Sequence, residues 1–124
     1  MAKNLLNIGL HPDAVNYAMF PGMTKEKLAQ GLQEQHASLE KLGFTVTMCF
    51  VDAENAERLV RAALAEKQWD AVQIGAGVRT PPPHLHLFEK VLNVVHELAP
   101  TAKICFNSRP DDTAEGFLRW AKPG

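Results

Sequence analysis

The chain has 124 residues, of which 46% are hydrophobic and 22% charged, values that are typical of a globular protein. Its 13 basic and 14 acidic residues are scattered and give a formal charge of −1, so no basic stripe indicates nucleic-acid binding. The sequence shows neither an apolar run long enough to span a membrane nor the apolar core of a signal peptide. We therefore expect a single domain over residues 1–124, located in the cytoplasm, that binds neither nucleic acid nor membranes.

Four strand-then-helix units follow one another without a linker or a low-complexity segment. Apolar and β-branched runs predict strands at residues 5–10, 44–51, 71–74 and 102–106. Capping, stop and periodicity signals predict helices from Thr24 to Gly43, after Asp52, over 82–98, and from about Asp112. Strands that alternate with helices indicate a three-layer α/β sandwich with a four-stranded parallel sheet. The simplest doubly wound strand order is 2-1-3-4.

The two cysteines, Cys49 and Cys105, fall inside predicted strands among apolar neighbours. A catalytic cysteine normally lies in a loop or at a helix N-terminus, where its thiolate is stabilised. We therefore expect both cysteines to be reduced and buried.

The segment from Trp69 to Pro83 carries the most informative pattern in the chain. A short strand breaks at Gly75 and Gly77, presents Arg79, and meets three prolines that begin a new element. In the predicted strand order this turn lies at the topological switch point, where α/β proteins bind ligands. Glycine lets a ligand approach the backbone, and arginine offers forked donors to an anion. The pattern predicts that the backbone amides of the two glycines and the Arg79 side chain hold an anion.

Polar residues after the first and fourth strands can complete this site. His11 can act as acid or base with Asp13 orienting it, and Asn107 and Ser108 can add neutral hydrogen bonds. Each residue also has a purely structural explanation, since Asp13 can shape a turn and the glycines can serve turn geometry alone. Arg79 can likewise pair with a nearby aspartate. Both explanations stay open at the level of sequence.

The connection 11–23 is long for a link between a strand and a helix, which normally takes about 2–6 residues. It also holds more apolar surface than a freely solvated loop, contributed by Val15, Tyr17, Met19, Phe20 and Met23. One explanation is a lid over the site, with the Tyr17 hydroxyl on a ligand. The other explanation is packing against another subunit.

The third predicted helix is apolar over more than the single stripe that a surface helix needs. One face must meet the sheet, so we expect Leu87, Val94 or their neighbours to contact a second copy in a homo-oligomer, most simply a homodimer. His84 and His86 lie on the same helix and point about 200° apart, so they cannot share a metal ion. No metal site is predicted.

The order of elements resembles the flavodoxin-like, or Rossmann-like, group, which includes flavodoxins, response-regulator receivers and sugar-transport phosphocarrier domains. The motif positions of those families are occupied differently here, by His11 after the first strand, Gly75 after the third, and Gly9 where a phosphocarrier has its cysteine. The chain also resembles a group of small bacterial α/β proteins with a Gly-Ala-Gly-Val-Arg…Pro-Pro…Leu-Phe-Glu…Asn…His…Ala-Pro…Phe-Asn pattern, which runs here from Gly75 to Asn107. These resemblances imply the fold and leave the activity and any cofactor open.

The predicted function is binding of a small anionic metabolite at the carboxyl edge of the sheet. If the protein is an enzyme, His11 supplies acid–base chemistry. The alternative from another class is a non-catalytic oligomeric or regulatory module that works through the third helix and the 11–23 connection.

Overall fold

The computed structural model describes residues 3–123, which contain four strands and five α-helices. The strands are β1 (Asn4–Leu10), β2 (Thr45–Val51), β3 (Ala71–Ile74) and β4 (Lys103–Phe106). The α-helices are α1 (Lys25–Lys41), α2 (Ala56–Leu64), α3 (Ala76–Arg79), α4 (Leu85–Leu98) and α5 (Thr113–Leu118). Short 3-10 turns occur at Pro12–Ala14, Tyr17–Met19, Pro82–His84 and Pro110–Asp112.

The sheet is parallel throughout, in the order β2-β1-β3-β4, which confirms the predicted strand order. β1 lies between β2 and β3, and the register places Asn7 beside Met48 on one side and Gln73 on the other. Helices cover both faces of the sheet, as the alternating pattern predicted. The carboxyl ends of β1 and β3 therefore lie side by side at the switch point.

The two faces of the sheet carry separate cores, because successive side chains of a strand point to opposite faces. One core packs α2 and α4 against Leu6, Ile8 and Val72, and we call this side the α2/α4 face. The other core packs α1 and α5 against Leu5 and Ala71, and we call this side the α1/α5 face. The first core is the larger of the two, and it reaches the carboxyl end of the sheet.

Both ends of α1 follow the predicted signals. The Thr24 hydroxyl accepts a hydrogen bond of 3.1 Å from the backbone N–H of Lys27, and Gly43 takes the left-handed conformation with φ +98°. Helix α2 begins at Ala56, later than predicted, because the Asp52 carboxylate accepts hydrogen bonds from the two backbone N–H groups that precede the helix. Asp52 thus shapes the turn before α2.

The region between β3 and α4 differs from the prediction. Residues 76–79, predicted as a glycine-rich loop, form the single helical turn α3. The predicted helix over 82–98 begins as the 3-10 turn Pro82–His84, and regular α-helix starts only at Leu85. Consecutive prolines lack the backbone N–H groups that a continuous helix uses, so the chain changes direction here.

Leu87 and Val94, the two residues named for a contact with a partner, are not free to make it. Both side chains are buried, with 7% and 5% of their surface exposed. Helix α4 packs against α2 as well as against the sheet, and this double contact uses its wide apolar surface. The exposed leucines of α4 are Leu85 and Leu98, at its two ends.

Cys49 and Cys105 are free, buried and located in strands, as predicted. They belong to the cores on opposite faces of the sheet. Burial raises the pKa of each thiol to about 11, so both remain protonated at neutral pH.

Candidate functional site

A pocket of about 540 Å³ opens at the carboxyl ends of β1 and β3. We call it the switch-point pocket; its sheet side is formed by Asn7, Gly9 and Met48, by the turn 75–77, and by residues 107–110. Its volume lies in the range of sites that bind small molecules. Gly9 leaves this space open, since a Cβ atom there would lie 2.8 Å from Cε of Met48.

The wall opposite the sheet is apolar and comes from the 11–23 connection and from α1. The connection contributes Val15, Met19, Phe20 and Met23, and the helix contributes Leu28 and Leu32. The connection is fastened to the start of α1, because Lys25 pairs with the Asp13 carboxylate and Lys27 Nζ donates to the Gly22 carbonyl at 3.1 Å. It therefore lines the pocket in this structure, and both its motion as a lid and its contact with another subunit stay predictions.

Asn107 and Ser108, two of the predicted ligand-binding residues, line the pocket and also hold its walls together. The Asn107 side chain accepts from the Ala76 N–H at 2.7 Å and donates to the Thr113 hydroxyl at 3.1 Å. The Ser108 hydroxyl donates to the Asp112 carboxylate. Burial opposes ionisation of Asp112, but its hydrogen bonds from residues 108 and 109 outweigh this and lower its pKa.

Gly75 and Gly77 also line the pocket, at the turn where the sequence pattern placed an anion. The Gly75 N–H already donates to the Ile8 carbonyl at 2.8 Å. A Cβ atom on either glycine would lie 3.2 Å from an atom of β1, from the Ile8 carbonyl for Gly75 and from Leu10 Cβ for Gly77. The close packing of this turn on β1 thus favours glycine at both positions.

Arg79 lies outside the pocket lining and joins the ends of two strands. Its guanidinium donates to the carbonyls of Ile74 at 2.7 Å and of Asn107 at 2.6 Å. It also lies 5.0 Å from the centre of the Phe106 ring. Burial lowers its pKa, but the group stays charged at neutral pH because arginine ionises far above pH 7. The arrangement makes Arg79 a clamp between the carboxyl ends of β3 and β4.

His11 and Asp13, the predicted catalytic pair, lie at a separate depression together with Asp52. Nδ1 of His11 accepts a 3.0 Å hydrogen bond from the backbone N–H of Asp13, and the ring stacks edge-to-face on Phe50 with centres 5.5 Å apart. The ion pair with Lys25 lowers the pKa of Asp13. The Asp13 carboxylate thus pairs with lysine, while its backbone N–H orients the imidazole.

Tyr17, predicted to offer its hydroxyl to a ligand, donates that hydroxyl to the Pro12 carbonyl at 2.7 Å. This bond closes the two 3-10 turns of the 11–23 connection on each other. Of the predicted site residues, the structure brings Gly75, Gly77, Asn107 and Ser108 into the switch-point pocket.

The residues of this pocket to which the sequence pattern assigned no role include Asn7, Met48 and Arg109. Asn7 carries a visible signal, because it is a polar residue in the middle of an apolar strand. Arg109 follows the fourth strand directly after Asn107 and Ser108, and its type and position give the signal of a loop cation at the same edge of the sheet. Met48 gives no signal of its own, since its position in the pocket depends on the register with β1.

No protein-family model matches the chain, and no curated protein matches it either. Within residues 3–123, no helix is both long and apolar enough to cross a membrane. In the same part of the chain, no group of three His, Cys, Asp or Glu side chains could hold a metal ion. Function must therefore be inferred from the shape and chemistry of the pocket.

Proposed function

We propose that the protein binds a small anionic metabolite with an apolar body in the switch-point pocket. The observation that carries the proposal is the chemistry of the lining: among the described residues around the pocket, Arg109 alone carries a charged side chain, and most of the others are apolar. An apolar ligand body gains from leaving water here, and its charged end gains from a position near Arg109.

Arg109 lies at the mouth of the pocket, with 67% of its side chain exposed. Its Nε atom pairs with Asp111, whose side chain is 69% exposed. Exposed ion pairs of this kind contribute little to stability. A ligand carboxylate can therefore replace Asp111 beside the guanidinium at small cost, and the arginine fork suits a carboxylate.

The proposal concerns binding, and it assigns no catalytic step. His11, the acid–base candidate, lies at the other depression and not around the pocket. Among the described residues that line the pocket there is no histidine, cysteine, aspartate or glutamate to exchange a proton.

The proposal is tested by isothermal titration with phenylacetate and hexanoate, and with phenylacetamide as the neutral partner of the first. We expect saturable binding of both acids at one site per chain. If none of the three compounds binds the wild-type protein, the proposed function is wrong.

The position of the charged end is tested with Arg109→Gln, with Arg58→Gln as its matched control. Arg58 is an exposed arginine on α2, away from the pocket lining. We expect Arg109→Gln to weaken acid binding about tenfold, the value of one charge-assisted hydrogen bond, and to leave amide binding unchanged. An equal loss in the two variants would show that the arginine acts only through overall charge.

The position of the apolar body is tested with Gly9→Ala. The new methyl group meets the flexible end of Met48, so the side chain can move into the pocket without a shift of the backbone. We expect this variant to remain folded and to bind the acids and the amide more weakly. Unchanged affinity would place the binding site elsewhere.

Homodimer formation and a cytoplasmic location belong to the proposal as well. The side chains of Phe106 and Trp120, 36% and 55% exposed, lie near the unpaired edge of β4, and they support a contact with a second copy. Sedimentation velocity of the wild type and of Trp120→Glu tests this contact, and a wild-type monomer at micromolar concentration would contradict it. Two free buried cysteines are consistent with a reducing compartment.

A further inference from the structure

Asn7 is the most unusual residue on the floor of the switch-point pocket. It lies on the central strand β1, lines the pocket, and is only 2% exposed. The strands of a parallel sheet covered on both faces are normally apolar, and a buried amide is costly unless its polar atoms are hydrogen-bonded. The neighbouring residues in register are Met48 on β2 and Gln73 on β3.

His36 of α1 determines which end of the Asn7 amide is available to a ligand. The Nδ2 atom of Asn7 lies 3.0 Å from Nε2 of His36. Burial lowers the pKa of His36, with an opposing contribution from Glu40, and so favours the neutral ring. In this pairing the amide nitrogen donates to Nε2, and the imidazole proton is on Nδ1. The amide oxygen Oδ1 is therefore the acceptor that Asn7 can offer to a molecule in the pocket.

The side chains above Asn7 suit an aromatic ring. Three of the four methionines of the chain, Met19, Met23 and Met48, line the pocket together with Phe20. Methionine is flexible, fits irregular shapes, and makes favourable contacts between its sulfur and aromatic rings. A flat ring can therefore be enclosed between the sheet and the 11–23 connection.

We propose that the ligand is an aromatic carboxylic acid whose ring carries a hydroxyl group at the end opposite the carboxylate. The hydroxyl donates to Oδ1 of Asn7, the methionines enclose the ring, and the carboxylate lies at Arg109. This inference rests on the proposed function and adds the hydrogen-bond donor and the aromatic ring to it. An acid without the hydroxyl covers the amide oxygen of Asn7 without pairing it, which reduces its affinity.

The test compares para-hydroxyphenylacetate with phenylacetate by isothermal titration. On the wild-type protein we expect the hydroxylated acid to bind about tenfold more tightly, as one well-formed buried hydrogen bond predicts. In Asn7→Leu, which has nearly the same side-chain shape, we expect that preference to disappear while phenylacetate still binds. The loss of preference without a loss of binding is the signature that a merely structural role of Asn7 would not give.

A second measurement uses the wild-type protein alone, in case Asn7→Leu does not fold. The side-chain amide signals of Asn7 in a nitrogen–proton correlation spectrum are expected to shift further with the hydroxylated acid than with phenylacetate. Equal affinities and equal shifts for the two acids would overturn the inference and leave the proposed function in place. Absence of binding by every acid tested would overturn both.

Discussion

The two faces of the sheet are built from the same strands, yet only one of them is filled to its carboxyl edge. On the α2/α4 face, Leu6, Ile8 and Leu10 of β1 pack into a continuous core that includes both helices. On the α1/α5 face, the alternating positions of β1 hold Leu5, Asn7 and Gly9. The side chains on this face become polar and then small toward the carboxyl end, and the space that they leave is the switch-point pocket. Stability is therefore expected to depend mainly on one face and binding on the other.

The largest expected effect comes from Ile8→Ala, which removes a side chain with no exposed surface from the filled face. We expect the free energy of unfolding to fall by about 3 kcal/mol, because the change removes buried methyl groups and leaves a cavity. The matched variant on the other face is Met48→Ala, which enlarges a pocket that already exists. It should lower the free energy of unfolding by no more than about half as much. Urea unfolding of both variants measures the difference, and equal losses would contradict the proposed division between the faces.

The next effect concerns the two arginines near the pocket, of which one is a clamp and the other lies at the mouth. Arg79→Lys removes the planar fork that holds the carbonyls of Ile74 and Asn107. We expect a loss of about 1–2 kcal/mol in the free energy of unfolding, because lysine cannot reproduce both hydrogen bonds. Arg109→Lys, at an exposed position, should change it by less than about 0.5 kcal/mol. Thermal unfolding of the two variants measures this difference. If Arg79→Lys has the melting temperature of the wild type, Arg79 does not act as a clamp.

The topology could be predicted from the sequence because its signals are local and repeat four times. Each strand is a short apolar run, each helix has a start or stop residue such as Thr24 or Gly43, and the parallel order follows from their alternation. The expectation for α4 failed because an apolar helix surface can pack either against a second copy or against another helix of the same chain. The apolar surface of α4, predicted to face a second copy, lies instead against α2.

The sequence predicts where the candidate site lies, but it does not predict the full set of residues that line it. The switch point follows from topology, so Gly75, Gly77, Asn107 and Ser108 were found. Whether an arginine faces a ligand or a backbone carbonyl depends on loop geometry, and no pattern distinguishes Arg79 from Arg109. The separation of His11 from the pocket likewise depends on the path of the 11–23 connection, which follows its own hydrogen bonds.

The smallest of the three effects is a pH dependence that arises from His36 on the α1/α5 face. Because burial lowers the pKa of His36, the unfolded chain takes up a proton before the folded chain does, from about pH 6.5 downward. The contribution of His36 to stability is thus complete above that pH and is lost as the pH falls through the lower pKa of the folded state. Protonated His36 also cannot accept the hydrogen bond from Asn7.

We expect the urea midpoint to fall between about pH 7 and about pH 5, and His36→Gln to reduce this slope. The control is His86→Gln, the same change at an exposed position of α4. If His36→Gln keeps the wild-type slope, the group responsible for the pH dependence is not His36.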